Sequence, residues 1–198
     1  MNSNSVRTTV ATMAVMLAGV CIFQTRSAQS SSATTPQAAP KPLLLEKNEG
    51  ERRIWRDLPP GEFILKVSPK NNGSQHLVLV TEDMHPGDEI PTHKHLGQDE
   101  ILLIEKGTAH VRLGDHERDL HAGGIVFIPA YTWVGLKNAG TETVGLVGIF
   151  SAPGFEDLMR CESVLPNEKS TPISPEEYKK CEHQGHVIYK DPEGQAQK

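Results

Sequence analysis

Positive charge is in short supply in this sequence, and so are long hydrophobic runs. The formal net charge is −5 and the isoelectric point lies near 6.0, so the chain lacks the basic field that nucleic-acid binding requires. Hydrophobic residues make up 37% of the chain and the mean hydropathy is −0.39, which excludes a membrane protein with several spans. The composition therefore predicts an ordinary polar surface and no nucleic-acid partner.

The longest apolar run lies at the N-terminus. Residues 8–23 carry no charge and follow Arg7 and the amino terminus, an arrangement typical of an export signal and short for a membrane span of about 20 residues. We therefore predict that residues 1–28 are an export signal and that the protein is periplasmic or secreted. The alternative is an uncleaved anchor, which would be the only contact with a membrane. Residues 30–42 are small, polar and rich in proline, so residues 29–45 are predicted to form a disordered tether.

Cysteine is also scarce, with three residues in the chain. Cys21 lies within the predicted export signal, which leaves Cys161 and Cys181 as a pair. An even pair in an exported protein suggests a disulfide, and two free thiols are the alternative. The bridge would close a loop of about 20 residues and contribute on the order of 3 kcal/mol to stability in the chain-entropy model.

Between residues 62 and 150 the sequence consists of short β-type runs, separated by turns rich in glycine, asparagine, aspartate and proline. Runs of this kind at even spacing favour an antiparallel sandwich or barrel over alternating strands and helices. The predicted fold is therefore all-β, with a single small antiparallel β-barrel over residues 46–152.

A helical extension is predicted to follow the barrel over residues 153–198. Its clearest helix begins with Ser174 as N-cap, Pro175 in the first helical position and Glu177 completing a capping box. Gly185 is expected just past the end of this helix, where glycine commonly stands. A disulfide would join this helix to a shorter one that precedes it.

The segment PGDEIPTHKHLGQDEILLIEKG, residues 86–107, holds the side chains best suited to chemistry. His93 and His95 alternate along a predicted strand, so their side chains point to one face. Glu100 opens the next strand, which is expected to fold back beside the first and bring its carboxylate to the same place. Two imidazoles and one carboxylate suit one divalent metal ion with open coordination positions, and Fe, Mn, Ni and Zn are the candidates. A pair of surface histidines without a metal is the alternative.

Two glycines, Gly87 and Gly107, frame His93, His95 and Glu100, and the residue types and spacing together resemble the first conserved motif of the cupin superfamily. The second cupin motif is matched further along the chain, by Gly123, Pro129 and Asn138. The resemblance covers about residues 75–150. It implies a small antiparallel barrel, the double-stranded β-helix, which binds a metal or a small molecule inside, and it implies a homodimer.

The second motif departs from the family at two positions. Tyr131 stands where glycine is usual, and Val134 stands where the family places a further histidine ligand. The resemblance therefore implies three protein ligands, with water or substrate at the vacated position. Tyr131, Trp133 and Val134 are expected to form part of a substrate pocket.

Two functions follow from these observations. In the first, His93, His95 and Glu100 hold the metal, and the protein resembles the single-domain, quercetin-dioxygenase-like cupins, which implies an oxidoreductase acting on a small organic molecule. Glu100 would then be the catalytic base. In the second, the metal site is degenerate because Val134 replaces the usual histidine, and the protein binds a sugar, a small acid or a phenolic compound without catalysis.

Overall fold

The computed structural model describes residues 39–56 and 61–190. The predicted export signal and most of the predicted tether lie outside the described residues. Residues 39–45, the described end of that tether, are exposed and have no regular secondary structure. Within the two described ranges, no helix is long and apolar enough to cross a bilayer.

Twelve short strands dominate the described part of the chain. They are β1 (Glu51–Trp55), β2 (Glu62–Val67), β3 (Val78–Met84), β4 (Glu89–His95), β5 (Glu100–Lys106), β6 (Thr108–Leu113), β7 (His116–His121), β8 (Ile125–Ile128), β9 (Val134–Lys137), β10 (Val144–Phe150), β11 (Ser163–Val164) and β12 (Val187–Tyr189). A seven-stranded sheet has the order β11-β1-β2-β3-β10-β5-β8, and a five-stranded sheet has the order β12-β4-β9-β6-β7.

The predicted all-β, antiparallel cupin-like fold is confirmed, with one difference. The strands form two separate sheets, and no ladder among the described residues joins them into one closed barrel. Side chains from the inner faces of both sheets pack between them, as in a sandwich, next to the cavity described below. Strand β1 adds a further strand beside β2.

Alternating burial along the strands creates the inner faces of the sheets. In β5, for example, Glu100, Leu102 and Ile104 are buried, whereas Ile101 is exposed, because successive side chains point to opposite faces. Inner-face residues of both sheets form one apolar cluster: Met84, Leu102, Ile104, Ala109, Val111, Val126, Ile128, Val134, Leu136, Val144 and Leu146. A second cluster forms where the C-terminal extension covers the seven-stranded sheet: Phe63, Leu65, Val78, Val80, Phe150, Leu158, Met159 and Val187.

Three helices complete the described residues: α1 (Pro69–Asn72), α2 (Phe155–Cys161) and α3 (Pro175–Gly185). The predicted disulfide is confirmed, since Cys161 of α2 is bonded to Cys181 of α3. The extension then ends in β12, which pairs with β4 at the edge of the five-stranded sheet. The C-terminal segment is therefore part of the sheet architecture as well as helical.

The predicted start of α3 is confirmed, but its predicted end is wrong by one residue. The Ser174 side chain accepts a hydrogen bond from the Glu177 backbone N–H at 3.2 Å. Gly185 is the last helical residue, and His186 takes the left-handed position with φ 54°. The glycine is needed for helix contact, because a Cβ there would lie 2.2 Å from the Cβ of Leu158 on α2.

Candidate metal centre

The three predicted ligands meet between the two sheets. Strand β4 of the five-stranded sheet carries His93 and His95, and Glu100 opens β5 of the seven-stranded sheet. The expectation that β5 folds back beside β4 is wrong, because the turn at residues 96–99 crosses from one sheet to the other. Facing sheets lie about 10 Å apart, so side chains on their inner faces can approach each other. All three side chains are buried.

The donor atoms are close enough to share one cation. Each residue offers one ligand atom, and the three atoms lie within 4.8 Å of one another. No second group of three histidine, cysteine or acidic side chains comes this close within residues 39–56 and 61–190.

His93 has the orientation and charge state of a metal ligand. Its Nδ1 lies 2.8 Å from the carbonyl oxygen of Pro91, so we assign the ring proton to Nδ1, which leaves a lone pair on Nε2. Burial lowers the pKa of His93 to about 4, and the electrostatic interaction with nearby His95 acts in the same direction. The imidazole is therefore neutral near pH 7, and the neutral imidazole is the form that binds metals.

His95 and Glu100 complete the donor set. The Nε2 of His95 lies 3.1 Å from Oε2 of Glu100, and the Nδ1 of His95 is buried without a hydrogen-bond partner among the described residues. Two imidazoles and a carboxylate form a donor set that fits a divalent transition metal. The buried Nδ1 of His95, which lacks a partner within the described part of the chain, agrees with this, because buried polar atoms normally have a partner.

Hydrogen bonds hold the turn between the ligands in place. Asp99 accepts a hydrogen bond from the backbone N–H of Ala130 at 2.9 Å and donates its own backbone N–H to the Ser151 hydroxyl at 3.0 Å. The backbone N–H of Tyr131 donates to the carbonyl of His95 at 2.8 Å. Tyr131 has φ 66°, a left-handed conformation that favours glycine, which agrees with the glycine usual at this position in the family.

The structure brings one of the three predicted pocket residues to the ligands. Val134 is 1% exposed, pairs opposite His93 across β9 and β4, and lines the cavity described below. Tyr131 is 64% exposed, and the ring of Trp133 lies 4.6 Å from Nζ of Lys94. Neither of these two side chains is among the residues that line the cavity.

A cavity of about 990 Å³ opens beside His93 and Glu100. Both sheets and the C-terminal extension line it, and the extension contributes Phe155, Tyr178 and Tyr189. Sequence reasoning missed these residues because no local pattern shows that a segment after the barrel returns to its interior. The available signal was the presence of aromatic residues in a segment already predicted to be held by a disulfide, since such residues are expected to pack against the rest of the protein.

Glu82 is a second acidic group in the cavity, and it was also missed. Burial raises its pKa to about 7. The indole N–H of Trp55 donates to Oε1 of Glu82 at 2.9 Å and lowers the pKa, whereas the carboxylates of Asp88, Glu100 and Asp83 raise it. Near neutral pH this side chain therefore exists in both protonation states, so it can donate as well as accept a hydrogen bond. The sequence signal for Glu82 was its position on β3, where residues two apart point to the interior.

Two antiparallel sheets, with three potential metal ligands and a cavity between them, define the class of protein: a small all-β fold with an interior cavity. Comparison with known proteins identifies the family. The family model described as "Cupin domain" matches residues 80–150. The chain belongs to the cupin superfamily.

Relatives and solved structures agree with this assignment. An uncharacterized protein of Acanthamoeba polyphaga mimivirus is 31% identical over 114 residues, which cover 54% of this chain and 71% of the relative. The uncharacterized protein YrkC of Bacillus subtilis is 24% identical over 126 residues, covering 56% of this chain and 68% of the relative. The crystal structure of a predicted oxalate decarboxylase from Thermotoga maritima matches with a TM-score of 0.50 at 17% identity, covering 56% of this chain and all of that one; this likeness concerns the fold.

Proposed function

We propose that this cupin binds one divalent metal ion through His93, His95 and Glu100 and acts on a small organic molecule in the adjacent cavity. The observation that carries the proposal is the convergence of the three donor atoms to within 4.8 Å of one another, with His93 and Glu100 lining that cavity. A bound Fe, Mn, Ni or Zn ion supplies Lewis-acid chemistry, or redox chemistry with Fe or Mn, at coordination positions that the protein leaves open.

The chain's own residues contribute binding and proton transfer. Phe155 and Tyr189 give the cavity apolar surface against which an organic molecule can pack. Glu100 borders the cavity and is hydrogen-bonded to His95, and its carboxylate is our candidate for the catalytic base. We propose that the reaction is an oxidation of the dioxygenase type, and oxygen uptake with candidate substrates tests that assignment.

A second candidate function is binding without catalysis. The observation that favours it is the 3.1 Å contact between Nε2 of His95 and Oε2 of Glu100, which satisfies two of the donor atoms without a metal. The buried Val134, in place of a further ligand, points the same way. In this case the cavity would hold its small molecule by packing and hydrogen bonds alone.

Export and self-association belong to the same proposal. The Cys161–Cys181 disulfide supports a periplasmic or secreted location, because such bonds persist in oxidising compartments. Mass spectrometry of the N-terminus of the expressed protein tests whether the export signal is removed.

A homodimer is supported by apolar side chains exposed at the edge strand β8, where Ile125 is 64% and Phe127 is 56% exposed. Analytical ultracentrifugation of the wild-type protein tests the homodimer.

Elemental analysis of protein purified without an affinity tag tests the main proposal. We expect about one divalent metal per chain in the wild type and almost none in His93→Ala and Glu100→Ala, since a site with two ligands is weak. His110→Ala is the matched control, because His110 lies on the surface against Asp119 and its loss should leave the metal content unchanged. Wild-type protein that stays metal-free after loading would exclude metal-dependent catalysis and favour the binding function.

A further inference from the structure

We propose that Phe155, the first residue of α2, is a positioning residue that holds the imidazoles of His93 and His95 in place for the metal. This inference rests on the metal-binding function proposed above. It gives the C-terminal extension, which follows the family segment of residues 80–150, a direct part in the metal centre.

Phe155 contacts both imidazoles, in two different ways. Its ring lies almost parallel to that of His93, with an angle of 5° between the planes and 6.2 Å between the centroids. It meets His95 edge-on, at 88° and 4.7 Å. Phe150 packs from the seven-stranded sheet, 4.7 Å from the centroid of Phe155 and 5.3 Å from that of His95. These are preferred geometries for aromatic pairs, so the packing of Phe155 opposes rotation of both imidazoles.

The start of α2 is tied to the turn that carries the ligands. Gln98, in the turn between His95 and Glu100, is 2% exposed and donates from Nε2 to the carbonyl oxygen of Pro153 at 2.7 Å. Gly154 makes this approach possible, because a Cβ at that position would lie 2.5 Å from Nε2 of Gln98. Phe155 follows directly, so a partly buried hydrogen bond limits its movement relative to the ligands.

A second contact reaches the ligands from the other end of the extension. Tyr189 of β12 pairs opposite His93, and the two ring centroids lie 5.8 Å apart. The Cys161–Cys181 disulfide joins α2 to α3, and α3 leads into β12. The two ring contacts with His93 therefore come from segments that are covalently held together, which limits the separate movement of each.

Replacing Phe155 with alanine should lower the affinity for metal while leaving the protein folded. Groups that orient a ligand without touching the metal typically change metal affinity by about 10–100-fold. We expect Phe155→Ala to bind a divalent metal at least about tenfold more weakly. Phe155→Tyr keeps the ring and should restore affinity to within about twofold of the wild type.

Cobalt titration of the full chain tests this positioning role. Co²⁺ is added to metal-free wild type, Phe155→Ala and Phe155→Tyr, and both the dissociation constant and the visible absorption spectrum are recorded, because the spectrum reports the geometry of the ligands. Far-UV circular dichroism of the metal-free proteins confirms that each variant folds. Phe127→Ala is the matched control, since Phe127 is an exposed phenylalanine on β8 and its truncation should alter neither quantity.

The outcomes separate this inference from the proposed function. Weaker binding and an altered spectrum in Phe155→Ala, with recovery in Phe155→Tyr, support it. Tight wild-type binding with the same affinity and spectrum in Phe155→Ala overturns it and leaves the proposed function standing. Wild-type protein that binds no cobalt overturns both. If Phe155→Ala does not fold, Phe155→Leu replaces it, and a loss below about twofold then overturns the positioning role.

Discussion

Replacing Glu82 by glutamine should change how the stability of the protein depends on pH. Glutamine has the same shape and still accepts the hydrogen bond that Trp55 donates at 2.9 Å, but it does not titrate. Burial raises the pKa of Glu82 from 4.5 to about 7 in the folded protein. The folded state therefore favours the protonated carboxyl, and the stability that this provides is present below pH 4.5 and is lost as the pH rises through about 7.

The difference between these two pKa values sets the size of the effect. A tenfold change in proton affinity is worth about 1.4 kcal/mol. As the pH rises from below 4.5 to above 7, the free energy of unfolding of the wild type should therefore fall by up to about 3 kcal/mol relative to that of Glu82→Gln. Glu82 keeps part of its surface in contact with the cavity, so solvent screening reduces this upper limit, and we expect about 1–3 kcal/mol. Glu82→Gln should therefore gain stability relative to the wild type between pH 5 and 8.

Denaturation by urea in the presence of a chelator, followed by tryptophan fluorescence, measures this difference. Free energies of unfolding are determined for both proteins at pH 5 and at pH 8, with Glu142→Gln as a control because Glu142 is exposed in the turn before β10. The control should follow the wild type at both pH values. A difference between Glu82→Gln and wild type that stays constant with pH, to within about 0.5 kcal/mol, would refute the argument that burial makes Glu82 a weak acid.

Three further substitutions test other parts of the structure. Tyr131→Gly should raise the melting temperature and stabilise the fold by about 0.5–1 kcal/mol, because φ at this exposed residue is 66° and relief of the left-handed conformation exceeds the added chain entropy. Lys66→Met should destabilise the fold by about 2 kcal/mol in denaturation experiments and expose the segment 46–49 to proteolysis, since the buried ammonium donates to three backbone carbonyls there. Val134→His should bind metal about tenfold more tightly than the wild type, equivalent to about 1.4 kcal/mol, because position 134 pairs opposite His93. A cobalt titration measures the affinities, with Val134→Leu as the control. Equal affinities of Val134→His and the wild type would contradict this placement.

Local patterns in the sequence predicted that the three donor side chains converge, but not the path of the chain around them. The spacing of His93, His95 and Glu100 was sufficient to bring the three together, because strand alternation and one tight turn limit where these side chains can point. The same pattern did not show that β4 and β5 belong to different sheets. Strand partners are chosen by contacts over the whole fold, and a four-residue turn is compatible with either arrangement.

Short elements and tertiary partners escaped prediction for a related reason. Strand β12 has three residues, too few for a periodic pattern, and it exists because β4 offers an unpaired edge. Gly185 looked like a helix terminator, although its absent side chain serves the contact with Leu158. By contrast, the Ser174 cap and the disulfide depend on adjacent residues or on an even number of cysteines, and both were predicted correctly.

The C-terminal extension supplies part of the cavity wall from outside the segment that the family model matches. The family segment ends at residue 150, yet Phe155 and Tyr189 line the cavity and contact the imidazole of His93. The extension therefore supplies one wall of the cavity and both of these aromatic contacts with this ring. We propose that the choice of small molecule depends on the extension, whereas the choice of metal depends on the ligands of β4 and β5.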